Sequence, residues 1–275
     1  MDSRAHDVLV AMSPGLILAA VLVLSFLLYL AVGTPGFKES ASRRHGSMVV
    51  PVIYVQYFYW LTDPVARGLG RLGIRPNHVT LFSLLLAGAT AVALAMGHFM
   101  IGFWLFFAAI ACDLIDGVVA RSQNSGSQAG AFLDSWIDRA AEGVVLIGLA
   151  IYGRDTILLE LSLWALVASF LVSYSRARGV ALGVDCKGGL MQRPERMFVL
   201  CWAIFLSPLV ALWMEPRAEV PIFHAAILGV GILAFLSTIT AINRLRWTMK
   251  LLNEESDIPE PKAAPANGLA EAEAR

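Results

Sequence analysis

Cysteine is scarce. Cys112, Cys186 and Cys201 are the three in 275 residues, and no two have the spacing of a zinc site or a disulfide framework, so they read as packing residues. Charge is scarce too. Asp, Glu, Lys and Arg make up 15% of the chain against 57% hydrophobic residues, and the formal net charge is +0. There is no basic excess, and no nucleic-acid partner is expected. A zero sum does not exclude an anionic ligand, because charges that cancel overall can be sorted by side. The leader Met1-Asp2-Ser3-Arg4-Ala5-His6-Asp7 is not basic, and no small-residue cleavage site follows the first apolar run. Leu16 to Val32 therefore reads as a retained anchor. What the chain does have is several apolar runs of about 20 residues, the length that crosses a bilayer. The expected fold class is all-α: a polytopic membrane protein with a six-helix transmembrane core, an N-terminal interfacial amphipathic helix and one extra N-terminal transmembrane helix.

The domain division expected is an anchor at 1–35, a polar linker at 36–50, a membrane domain at 51–252 and a Glu/Ala/Pro-rich disordered tail at 253–275. From Val52 to Leu72, Tyr54, Tyr57, Phe58, Tyr59 and Trp60 precede Arg67 and Arg71, as in an amphipathic helix lying among headgroups. Gly73-Ile74-Arg75-Pro76-Asn77 breaks that helix, and Asn77 is expected to cap the next, which runs from His78 to about Met96. Gly97-His98 makes a turn. Further spans are expected at Ile101 to Ala120, from Gly130, at Ile157 to Arg178, at Met197 to Met214 and at Ile222 to Ile242. This arrangement puts Arg67, Arg71, Arg75, Arg121, Arg176, Arg178, Lys187, Arg193, Arg196, Arg244 and Arg246 on one side. Arg4, Arg154 and Arg217 fall on the other, and Arg139 falls within a span. The basic side is the cytoplasmic one.

Four acids lie on that side where the surroundings are oily. Asp113 and Asp116 are three residues apart, and Asp134 and Asp138 four apart, so each pair shares one face of a helix. Only a short polar connector separates the two helices. Carboxylates near a membrane interior are costly unless paired or bound to a cation, so the group implies bound metal or bound substrate charge. Acids lining a cation pathway in a transporter are the alternative of a different class.

The positions Asp113-x2-Asp116-Gly117-x2-Ala120-Arg121-x8-Gly130-x3-Asp134-x3-Asp138 match the pattern of the CDP-alcohol phosphotransferases, also called CDP-alcohol phosphatidyltransferases, and on them the chain resembles that family. The resemblance extends more loosely from about Tyr54 through the six core spans. It implies a metal-dependent membrane enzyme of phospholipid synthesis, with two magnesium ions, or manganese in their place. It implies that Asp113, Asp116 and Asp134 ligate both ions, and that Asp138 is a ligand of one ion and the general base. Gly117, Ala120 and Gly130 would seat the cytidine diphosphate, and Arg121 would support the phosphates or the acids. Independently of the resemblance, diphosphate and carboxylate oxygens suit hard cations. Gly117 and Ala120 each follow an acid by four residues, so a nucleotide could approach the backbone there.

A second resemblance concerns the acceptor. Ser173-Tyr174-Ser175-Arg176-Ala177-Arg178, Gly188-Gly189-Leu190 and Arg193-Pro194-Glu195-Arg196 are similar to the branch that makes phosphatidylinositol phosphate or its archaeal counterpart. It implies that Ser173, Arg176 and Arg193 bind the acceptor's phosphate. For Arg178, Lys187 and Arg196, ordinary positive-inside charge is an equal explanation, and Asn77, Thr80 and Tyr174 are further pocket candidates. The function expected is transfer of a phosphatidyl group from CDP-diacylglycerol to an alcohol, inositol phosphate or another phosphorylated alcohol, with release of CMP. The alternative within the class moves a headgroup from a soluble CDP-alcohol to a lipid alcohol. The partners expected are the CDP-linked substrate, the bilayer and a second copy in a homodimer.

Overall fold

The computed structural model of the protein describes residues 3–32, 52–123, 126–185, 188–216, 218 and 220–256. The linker at 36–50, the tail from 257 onward, Cys186, Lys187 and Arg217 lie outside the described residues.

Among the described residues there are eight α-helices and no strand: α1 (Ser3–Val32), α2 (Val52–Arg71), α3 (Pro76–Ala95), α4 (Phe99–Ser122), α5 (Gln128–Tyr152), α6 (Leu158–Ala181), α7 (Arg193–Met214) and α8 (His224–Ser256). Five of them, α3, α4, α6, α7 and α8, are long and apolar enough to cross a membrane. The protein is an integral membrane protein. α5 is also long, at 25 residues, but Asp134, Asp138, Arg139 and Glu142 dilute its apolar character.

Two three-helix groups build the core. α3 packs on α4 and α5, α8 packs on α6 and α7, and contacts of α5 with α6 and of α4 with α7 join the groups. The shared core runs through Leu94, Phe106, Leu146, Leu149, Leu200, Ile204 and Leu233. The α3–α5 contact is backbone-close: a Cβ added at Gly148 would lie 2.5 Å from the Ala91 carbonyl oxygen, so no larger residue fits without moving a helix. Outward-facing Leu85, Val92, Val167 and Leu228 are exposed, which suits a surface solvated by lipid.

Two local features differ from the expectation. Asn77 does not cap α3. Arg75 takes the N-cap with extended backbone, φ −84° and ψ 154°, and Pro76 takes the first helical position, where its missing N–H is no loss. α8 continues past Ile242 and Leu252 to Ser256, so Asn253 to Ser256 are helical rather than part of a structureless tail. The extension is polar, with Lys250 Nζ 3.6 Å from Glu254 Oε1 one turn on. Two aromatic residues of α2, Tyr57 and Trp60, also pack on α1. Tyr57 OH lies 2.5 Å from Ser25 Oγ and donates to the Leu22 carbonyl at 2.9 Å. Trp60 meets the Tyr29 ring at 5.6 Å.

Candidate active site

The acids come together where the ends of α4 and α5 face each other. α4 contributes Asp113 and Asp116 in its last turns, α5 contributes Asp134 and Asp138 in its first, and Ser127 caps α5 by accepting from Gly130 N at 3.0 Å. Asp113, Asp116 and Asp134 each offer a carboxylate oxygen within 4.8 Å of the others. Three hard oxygen donors at that separation fit a divalent cation. Asp116 is buried and oriented from α3: Thr80 Oγ1 donates to its Oδ2 at 2.6 Å and has the Pro76 carbonyl at 3.1 Å as a second acceptor. Thr80 therefore serves the site as well as the first turn of its helix.

Asp138 is not one of this trio, though it neighbours Asp113, and it faces a guanidinium. Arg193, at the start of α7, donates through Nη1 to Asp113 Oδ2 at 2.9 Å and brings Nη2 to 2.6 Å from Asp138 Oδ1. The second contact counts as an ion pair and not as a hydrogen bond, since Asp138 Oδ1 is buried without a hydrogen-bond partner, and Arg193 Nε is buried unpartnered as well. The four carboxylates make a donor set that an added cation would balance. Gly117 lies under the next guanidinium, since a Cβ there would come 3.1 Å from Arg121 Nη1. A Cβ on Gly130 would come 3.5 Å from Asn77 Oδ1, placing Asn77 at the head of α5. Ala120 is half-buried on α4.

Beside the acids opens a cavity of about 550 Å³ walled by α5, α6, α7 and α8. Ser173, Arg176 and Arg193, which the resemblance associates with the acceptor, all line it together with Asp138. Arg178 and Tyr174 do not, and both are exposed. Arg196 lines the wall but is only 2% exposed, and it is not a loose surface charge. Its Nε and Nη2 donate to Glu142 Oε1 and Oε2 at 2.6 and 2.8 Å, and its Nη1 donates to the Met191 carbonyl at 3.2 Å.

Glu142, Ser135, Arg139 and Arg244 were missed by sequence reasoning. Glu142 had a signal, because it continues the Asp134, Asp138 series by another four residues. Arg244 had none: it reaches from α8 to donate to the carbonyls of Gly188 at 2.9 Å and Val172 at 2.8 Å. It thereby fixes the loop before α7. Gly189 of that loop has φ 135°, and a Cβ on it would strike Thr240 Cγ2 at 2.5 Å.

The chain is similar to known proteins. The phosphatidylinositol phosphate synthase of Mycobacterium tuberculosis is 34% identical over 206 residues, covering 72% of this chain and 91% of that protein. The archaetidylinositol phosphate synthase of Methanothermobacter thermautotrophicus is 32% identical over 190 residues, covering 69% and 89%. The crystal structure of the M. tuberculosis enzyme with CDP-DAG bound superposes with a TM-score of 0.60 at 33% identity, over 68% of this chain and 92% of that one. Its complex with manganese and citrate gives 0.61 at 32% identity, over 68% and 88%. Residues 74–230, more than half of the sequence and including every motif position, match the family model described as CDP-alcohol phosphatidyltransferase, and the chain belongs to that family.

Proposed function

We propose that the protein transfers the phosphatidyl group of CDP-diacylglycerol to the hydroxyl of a phosphorylated alcohol, inositol phosphate first among the candidates, and releases CMP. The observation that carries this reading is the placement of Asp138. It stands between a carboxylate cluster suited to cations and a cavity rich in guanidinium groups. The relatives named above support the donor and the class of acceptor, and family membership removes the cation-transporter alternative.

In this reading the acceptor oxygen attacks the phosphorus bonded to the diacylglycerol oxygen. A new P–O bond forms, the bond from that phosphorus to the bridging oxygen breaks, and CMP leaves with the bridging oxygen. Asp138 accepts the hydroxyl proton. Asp113, Asp116 and Asp134, with Asp138 as a further ligand, would hold two magnesium ions, for which manganese could substitute. When bound, these ions neutralise the diphosphate and stabilise the departing CMP. Thr80 fixes the rotamer of Asp116. Gly117, Ala120 and Gly130 leave room for the cytidine diphosphate, and Arg121 lies over its phosphates. Ser173, Arg176 and Arg193 bind the acceptor's phosphate, with the fork of Arg193 joining that subsite to the acids.

The basic side, and with it the site, faces the cytoplasm. The unit 51–252 is the catalytic membrane domain, α1 within 1–35 is an added anchor, and two copies form a homodimer. The test of function is acceptor-dependent CMP release by purified protein in detergent with magnesium, using CDP-diacylglycerol, CDP-choline and CDP-ethanolamine against a panel of alcohols. Release only with CDP-diacylglycerol and a phosphorylated alcohol is expected. Release from CDP-choline or CDP-ethanolamine with a lipid alcohol would assign headgroup transfer instead.

A further inference from the structure

α5 carries two polar stripes, and only one belongs to the motif. Asp134, Asp138 and Glu142 recur every four residues toward α4 and α7, where their partners lie. Ser135 and Arg139 form a second pair, one residue on and so rotated by about 100° around the helix. Both line the 550 Å³ cavity alongside Ser173 and Arg176 of α6.

Five guanidinium groups line that cavity, and their circumstances differ. Arg193 lies against two carboxylates, Arg196 is held by both oxygens of Glu142, and Arg244 donates to two loop and helix carbonyls. Arg176 has Asp185 at 3.9 Å. Arg139 is half-buried and, among the described residues, pairs with no carboxylate. Its Nη1 donates to the carbonyl and hydroxyl oxygens of Ser135, one turn earlier on its own helix. Those bonds orient the fork without neutralising it, and a guanidinium has five N–H donors to place. A half-buried cation fixed in this way beside a polar cavity is suited to an incoming anion. In the reading above, the diphosphate of the donor belongs with the acidic stripe. The second stripe lines the cavity assigned to the other substrate.

We propose that Arg139, oriented by Ser135, is a specificity-determining residue that binds the phosphomonoester of the acceptor together with Arg176. The proposal rests on the reading above that the acceptor is a phosphorylated alcohol. Arg139 follows Asp138 directly, so one short helical segment would both deprotonate the acceptor's hydroxyl and hold its phosphate.

The test uses the full chain in detergent, comparing wild type with Arg139→Gln and Arg139→Lys. One arm measures binding of inorganic phosphate and of inositol phosphate by calorimetry without donor. The other measures KM for acceptor and for CDP-diacylglycerol separately. Arg139→Gln is expected to weaken phosphate binding and raise the acceptor KM by about tenfold to a hundredfold, with donor KM and melting temperature unchanged. Arg139→Lys should recover part of the loss. An unchanged acceptor KM, or an equal rise in both KM values, would overturn the proposal. If wild type turns over only unphosphorylated alcohols, the acceptor reading itself fails. The phosphate-binding arm then decides alone: binding lost in Arg139→Gln keeps the anion site, and no binding by wild type removes it.

Discussion

The two halves of the site are built in opposite ways. The acidic half comes from the facing ends of two consecutive helices, α4 and α5, joined by a connector of a few residues, and its acids lie within 26 residues of one another. The basic half gathers Arg139, Ser173, Arg176, Arg193, Arg196 and Arg244 from four helices. Local helical spacing suffices to place the first. The second exists only once α5, α6, α7 and α8 have packed, and internal pairs such as Arg196–Glu142 hold its cations in register. With the donor on the acidic half and the acceptor on the basic half, as proposed, the two subsites could change independently, with Asp138 and Arg193 as the seam between them.

Substitutions can break or sharpen this division. The largest effect is expected at the seam. Asp138→Asn should lower kcat by about 10²–10⁴-fold, the range for loss of a general base, as measured by CMP release at saturating donor and acceptor. Next comes the buried pair behind it. Glu142→Gln leaves the Arg196 charge buried and unmatched, which typically costs about 3–5 kcal/mol, so the melting temperature in detergent should fall. Replacing both partners by Met should recover most of that fall. Thr80→Val removes a hydrogen bond to one carboxylate of the acidic half, worth about 1.5–3 kcal/mol for a charged acceptor. It should weaken manganese binding and raise the donor KM with no change in acceptor KM, and a matching change in acceptor KM would deny that the halves are separable. The smallest effect is expected outside both. Tyr57→Phe at the α1–α2 contact should cost about 0.5–1.5 kcal/mol of stability and leave the kinetic constants as they are.

Legibility in the sequence followed the same line. The polytopic helical fold was readable from apolar runs, and α5 was readable despite its charges because spacing put Asp134 and Asp138 on one face. Ser173, Arg176 and Arg193 were singled out and do meet in one cavity. The resemblance set Arg193 apart from Arg196 and Arg178, but the physical difference between them was not readable. All three are bases near helix ends, and only packing decides that one meets Asp138, one is buried on Glu142 and one stays exposed. Asn77 was mistaken for a cap because capping preference was weighed without the preference of proline for the first helical turn. Arg139 was placed within a span but given no role, because the motif ends one residue before it.

The central claim is that the phosphorus carried into the product is the one attached to the lipid. CDP-diacylglycerol radiolabelled at that phosphorus, incubated with the protein, magnesium and inositol phosphate, tests it most directly. The expected result is label in a new lipid containing inositol phosphate and unlabelled CMP in equal amount, with no transfer when inositol phosphate is omitted. Label recovered in a water-soluble nucleotide or in free phosphate, with no labelled lipid product, would contradict it.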